Sequence, residues 1–269
     1  MKVRIALLSA LLLAAAAVSL SAHDMFIKLD NYFLAPGDTL RVPLINGTFT
    51  KSENGIEYER IRFLVMLDST GLTHPPPLGW SIANESTHFG IALKREGTLV
   101  LGLGTYPREL SLKGKQFNAY LQEEGITDIL TLRKKRGQLD KPARERYAKY
   151  VKAVFQVGEH PSPSVATPLG FAAEVIPVDN PYVGQRSGKL RFQCLVDGKP
   201  VAGLTVVAGS QHASEKPKEM SFVTDAQGMV ALKITRAGRW YVKFVRMVPV
   251  SRGDVDYESK WATLTFEVR

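Results

Sequence analysis

Turn signals break this chain into short segments in which apolar and polar residues alternate, and that rhythm restricts it to a mainly β architecture. "APGD" at 35–38 separates "MFIKLDNYFL" from "TLRVPLING". "ERIRFLVMLD", "HFGIALKR" and "TLVLGLG" follow as further strand candidates. "HPPPLGW" at 74–80 is an extended loop, because three prolines donate no ladder hydrogen bonds. Near the C-terminus, short strands are expected at 188–196, 200–208, 219–224, 229–234, 239–247 and 260–268. "DG" at 197–198 suits a tight hairpin and "DAQG" at 225–228 a longer turn. The pattern predicts two antiparallel β-sandwich domains, 23–180 and 186–269, joined through "DNPYVGQRSG".

One stretch breaks the rhythm, and a helical insertion is expected around 116–157. "KQFNAYLQEEG" places Phe117, Tyr120 and Leu121 on one face and stops at Gly125. "KPARERYAKYVKAVFQVG" sets Pro142 in a first turn and Tyr147, Tyr150, Val151 and Val154 at helical spacing. The aromatic stripe reads as a docking face onto the sheet. Residues 133–152 hold nine Lys or Arg against two acids, a net of +7. That run carries most of the formal +9 of the whole chain. It reads as a solvated helix face, or as a contact surface for anionic lipid or an acidic protein.

Residues 1–22 have the anatomy of a secretory signal: Lys2 and Arg4, an apolar run from Ile5 to Leu20, and the small residues Ser19, Ser21 and Ala22. The expectation is a periplasmic protein released by cleavage after Ala22 or Ser21. Outside the cytoplasm nucleic acid is not an expected partner. The single cysteine, Cys194, alternates with Leu190, Phe192 and Val196, so it belongs to a strand's apolar face. Trp240 and Trp261 fall in strands and should fill a core, and Trp80 should pack under its own loop.

The chain has five histidines: His23, His74, His88, His160 and His212. No pair has zinc-ribbon spacing and there is no HExxH. Cleavage before His23 would place an α-amine beside its imidazole, and the two close a chelate ring on one ion. One more imidazole gives a flat set of three nitrogens, which suits Cu(II) or Ni(II). This arrangement resembles the histidine brace of copper-dependent polysaccharide monooxygenases. His88 and His212 are the candidates for the second imidazole, and Asp24 could orient or ligate. No GxSxG elbow, phosphate loop or catalytic dyad is present, so no enzyme is expected.

"AHDMFIKLDNYFLAPG", "LINGTFTKSENG", "FNAYLQEEGI", "LDKPARERYAKYVKAVFQVG", "AEVIPVDNPY", "TDAQG", "AGRWYVKFVRM" and "DVDYESKWATLTFEV" together resemble a bacterial periplasmic family of unknown function. Its members are commonly described as periplasmic components of ABC-type cobalt or nickel uptake systems. The resemblance implies an exported β-rich protein with a C-terminal immunoglobulin-like module. It also implies a role in handling a transition-metal ion (nickel, cobalt or copper) beside a membrane importer. This chain departs from the family at two places. The loop before "TDAQG", histidine-rich in the family, holds only His212, and Arg246 stands where a histidine is expected. The competing expectation is an envelope module that binds a partner protein or surface component through the basic segment 142–157.

Overall fold

The computed structural model describes residues 23–183, 188–213, 215, 217–251 and 253–269. The signal expected over 1–22 lies outside them, as does part of the expected linker. The first half contains β1 (Asp24–Ile27), β2 (Phe33–Leu34), β3 (Thr39–Gly47), β4 (Ile61–Asp68), β5 (Gly71–Thr73), β6 (Leu78–Ala83), β7 (Ser86–Ala92), β8 (Gly97–Thr105) and β9 (Arg108–Leu112). Two helices follow, α1 (Gly114–Glu123) and α2 (Thr127–Lys135). The rest is β10 (Ala143–Val157), β11 (Ala173–Pro177), β12 (Lys189–Val196), β13 (Lys199–Pro200), β14 (Thr205–Gln211), β15 (Lys218–Val223), β16 (Met229–Lys233), β17 (Gly238–Pro249) and β18 (Tyr257–Val268).

These strands form three sheets. The large one runs β15-β14-β17-β18-β10-β8-β4-β5, with β2 and β9 also pairing with β10. A second runs β1-β3-β7-β6, and a third β11-β12-β13 with β16 beside β12. The centre of the large sheet is buried on both faces. Leu99, Leu101, Val151, Ala153 and Phe155 pack against Met25, Ile27, Val42 and Phe89 of the second sheet. Val100, Tyr150, Val154, Trp240, Phe244 and Phe266 pack against Val175, Phe192, Cys194 and Val230 of the third. Two sandwiches therefore exist, as the turn pattern implies, but they share one sheet. The expected boundary at 180–186 does not separate them. β18, from the later segment, lies beside β10, and β11, from the earlier one, pairs with β12.

The helix expected over 142–157 is the 15-residue strand β10, and this corrects the sequence reading. The reason is burial on both sides. Residues 151, 153, 155 and 157 face one core while 148, 150 and 154 face the other. Such a strand reads as a near-continuous apolar run, without the period-two alternation that marks a half-exposed one. Its pairing with β18 is parallel, from Glu145 opposite Tyr257 to Ala153 opposite Thr265, where an antiparallel arrangement was expected. The basic residues of this segment divide between core and surface, with Arg144 exposed and Arg146 partly so. Lys149 and Lys152 are buried, and Arg144 and Arg146 each hold Glu109 at 2.9 Å.

The earlier part of the insertion is helical. Phe117, Tyr120 and Leu121 of α1 and Ile129 of α2 dock on Met247, Tyr257 and Trp261. Each large apolar side chain buried this way contributes about 1.5–3 kcal/mol. Trp240 and Trp261 are core residues. Trp80 stacks on Phe89 at 4.7 Å, and its indole N–H donates to the Ile56 carbonyl at 3.1 Å. Cys194 is fully buried, and burial pushes its thiol up to about 12, so it is an inert core residue. Among the described residues no helix is long and apolar enough to cross a membrane.

Candidate functional site

The start of β1 opens into a cavity of 270 Å³. His23, Asp24, Glu53, Glu124, Glu219 and Lys243 supply its polar wall. Phe26, Phe49 and Tyr241 form its floor, with ring centroids 4.6–5.2 Å apart. Five segments of the chain meet here, each for a local reason. β1 pairs antiparallel with β3, Asp24 opposite Gly47, and its alternation turns Asp24 and Phe26 to the same side. β3 ends in a tight reversal in which the Glu53 N–H returns to the Asn46 carbonyl at 3.0 Å. A Cβ on Gly47 would lie 2.3 Å from the Lys51 carbonyl oxygen, so only glycine lets the chain turn back and present Glu53. Glu124 caps the C-terminus of α1, directly before Gly125, whose φ of +68° ends the helix. Tyr241 and Lys243 alternate along β17, and Glu219 lies on β15.

The electrostatics divide the cavity in two. On one side the Lys243 ammonium donates to Asp24 Oδ2 and lies 3.7 Å from Glu124 Oε2. Burial pulls the Lys243 pKa down, but the Asp24 and Glu124 carboxylates outweigh it and the net shift is upward. Burial pushes the Glu124 carboxyl up to about 7, and the neighbouring Asp24 adds to this against the opposing pull of Lys243. The other Asp24 oxygen, Oδ1, is buried and has no hydrogen-bond partner. The Tyr241 hydroxyl donates to Glu219.

On the other side, His23 Nε2 lies 3.1 Å from Glu53 Oε2, with the His23 side chain 21% exposed. The backbone carbonyl of His23 accepts from the Lys149 ammonium, which also donates to Asn46 Oδ1 at 3.0 Å. Burial brings Lys149 down to about 8, with Asp24 acting in the opposite direction. The first described residue is thus held in place by a buried cation. Its imidazole orientation is set by a carboxylate. Glu53 thus occupies the Nε2 side of the ring, and Nδ1 has no ion-pair or hydrogen-bond contact among the described residues.

His23 and Asp24 are brought together, but the expected second imidazole is not supplied. His88 sits on β7 opposite Pro43, four residues along β3 from Gly47, or about 13 Å of strand. His212 follows Gln211, which pairs with Arg239, four residues along β17 from Lys243, again about 13 Å. It lines a different cavity with Arg239 and Arg269. His74 is exposed, and His160 faces Glu96 at 3.5 Å while remaining 87% exposed. Among the described residues no three His, Cys, Asp or Glu side chains converge to hold a metal ion. Glu53, Glu219 and Lys243 carry no signal in the sequence, since each comes from a different segment and is polar in a polar stretch. Glu124 was visible only as one of two adjacent acids at a helix end.

A family model described as "Domain of unknown function (DUF4198)" matches residues 20–247. A comparison with curated proteins gives no match. Solved structures with some likeness include trypsin-activated alpha-2-macroglobulin from Escherichia coli, at 13% identity and a TM-score of 0.28, with 91% of this chain and 15% of that one covered. The D0-D1 domain of intimin gives 10% identity and a TM-score of 0.21, with 90% and 97% covered. A tetra-tandem repeat from the extending region of a large adhesion protein gives 12% and 0.23, with 92% and 50% covered. This chain spans about 15% of the macroglobulin's length and half that of the adhesion repeat. Superpositions this loose carry no argument about function.

Proposed function

The chain belongs to the DUF4198 family, and on that premise we propose that it is an exported binding protein that takes a transition-metal ion as cargo at His23. The carrying observation is the His23 Nε2 contact with Glu53 Oε2 at 3.1 Å. Metal-ligating histidines commonly donate their second ring N–H to a carboxylate, which fixes the tautomer and strengthens the free nitrogen as a ligand. Here that leaves Nδ1 for the metal. Removal of residues 1–22 on export adds the His23 α-amine, and amine and Nδ1 close a chelate ring on one ion. A soft-to-borderline dication with nitrogen preference, Ni(II), Co(II) or Cu(II), suits that donor pair. The buried, hydrogen-bond-free Oδ1 of Asp24, on the adjacent residue, offers an additional oxygen donor. Lys149 supports the arrangement by pinning the His23 carbonyl, so the chelating residue is ordered before the ion arrives. Placed outside the cytoplasm, such a site would act beside a membrane importer as an uptake or trafficking accessory.

The test is titration calorimetry of the exported protein with nickel, cobalt, copper and zinc salts, after intact mass has shown where the mature chain begins. One-site binding is expected. His23→Ala should abolish it, and Glu53→Gln should weaken it about 10–100-fold. His88→Ala and His212→Ala should leave it unchanged. A protein that starts at His23 and takes up none of the four ions refutes the proposal.

A further inference from the structure

The triple proline at 75–77 has no part in the site above, yet its first two members, Pro75 and Pro76, wall a larger cavity. β5 is an edge strand of the large sheet and β6 an edge strand of the second. The segment His74–Pro77 carries the chain from one to the other across the open mouth of the sandwich. Beneath it lies a cavity of 430 Å³, within the size range of small-molecule sites. Met66, Leu78, Ala92 and Leu99 line its interior. Leu99 and Met66 are buried core residues, whereas Leu78 keeps 47% of its surface exposed. The cavity wall is rigid. Each proline fixes its own φ and restricts its predecessor, so this wall resists the collapse that a flexible loop would undergo. The site is preformed, which lowers the entropy lost on binding.

The polar groups of the lining set the sign of the ligand. Asp68 is its only carboxylate among the lining residues, and its bonds are already made. Oδ1 accepts from the Thr70 N–H at 2.7 Å and the Thr70 hydroxyl at 2.6 Å, and Oδ2 faces Arg95 Nε at 3.5 Å. It has little left to offer a cation. Lys94 has no ion-pair partner among the described residues, Arg95 is shared with one carboxylate, and His74 stands beside them. An apolar chamber under a cationic mouth selects an anion with an apolar body. We propose that this cavity binds a small amphipathic carboxylate, its hydrocarbon part between the two sheets and its head group at Lys94 and Arg95.

Isothermal titration of the full chain with decanoate tests this, with decanol and decyltrimethylammonium as neutral and cationic controls of equal length. Decanoate is expected to bind one-to-one and at least tenfold more tightly than either control. Lys94→Glu should weaken decanoate at least tenfold and leave decanol unchanged. Ala92→Trp, which fills the chamber from an exposed strand position, should abolish binding of both. Glu53→Gln, in the His23 cavity, should change nothing, so failure here and failure of the metal proposal are separable. No decanoate binding overturns the proposal. Equal binding of the cationic control, or decanoate affinity untouched by Lys94→Glu and Ala92→Trp in proteins that still fold, also overturns it.

Discussion

Removing Glu174 should destabilise the protein by about 5 kcal/mol at pH 7, and most of that loss should disappear as the solution is made alkaline. Lys152 and Glu174 form an ion pair at 3.0 Å between the large and third sheets, with side chains 2% and 1% exposed. Glu174 Oε1 also accepts from the Leu169 N–H at 2.8 Å, and Oε2 from the N–H groups of Gly170 and Phe171 at 3.1 and 3.2 Å. Burial already lowers the Lys152 pKa, and the Glu174 charge opposes this. In Glu174→Ala the buried ammonium has no counter-charge and folds as the neutral amine. Discharging a lysine of ordinary pKa, near 10.4, at pH 7 costs about 1.36 kcal/mol per unit, or roughly 5 kcal/mol. The unfolded chain then binds one more proton than the folded one, so stability rises with pH by about 1.4 kcal/mol per unit until the unfolded lysine titrates. Urea unfolding at pH 7 and pH 9 measures both the loss and its slope. Lys152→Met/Glu174→Leu, which removes both charges, should recover most of the stability and provides a folded reference if the single variant does not fold. A single variant costing under 1 kcal/mol, or one whose loss does not shrink between pH 7 and pH 9, would refute this reasoning.

Three further outcomes are expected. Lys243→Ala removes the cation between Asp24 and Glu124 and should raise divalent-metal affinity at the His23 cavity at least tenfold, measured by calorimetry at pH 7. Glu145 is buried against the Tyr120 and Ser259 hydroxyls, one of its oxygens has no partner, and burial pushes it up to about 7. For an acid raised in the folded state, the folded chain binds more protons between the unfolded pKa and 7. Stability should therefore fall as pH rises through that window, by up to about 3 kcal/mol at pH 8, and Glu145→Gln should flatten the urea-midpoint profile between pH 5 and pH 8. Gly47→Ala drives a Cβ to 2.3 Å from the Lys51 carbonyl and should cost about 1–3 kcal/mol in thermal unfolding while weakening metal binding through displaced Glu53.

What the sequence alone determined is what nearest neighbours along the chain determine. Turn residues and period-two alternation made the β class, the hairpin at 197–198 and the buried face of Cys194 legible. The 3.6-residue spacing of Phe117, Tyr120 and Leu121 did the same for α1. His23 and Asp24 were visible because their chemistry is adjacent in the chain. The tertiary structure decided everything that depends on register between distant strands. It made 143–157 a two-faced strand, parallel to β18 and antiparallel to β8, since burial on both sides erases alternation and leaves a pattern that a helix satisfies equally well. It joined two expected sandwiches through one sheet, and it set Glu53, not His88 or His212, beside His23. A one-residue change of position along a strand is about 3.3 Å, and four such steps separate each of those histidines from the site. Spacing in sequence carries no record of that distance, because the distance exists only once β1, β3, β7, β14 and β17 have paired.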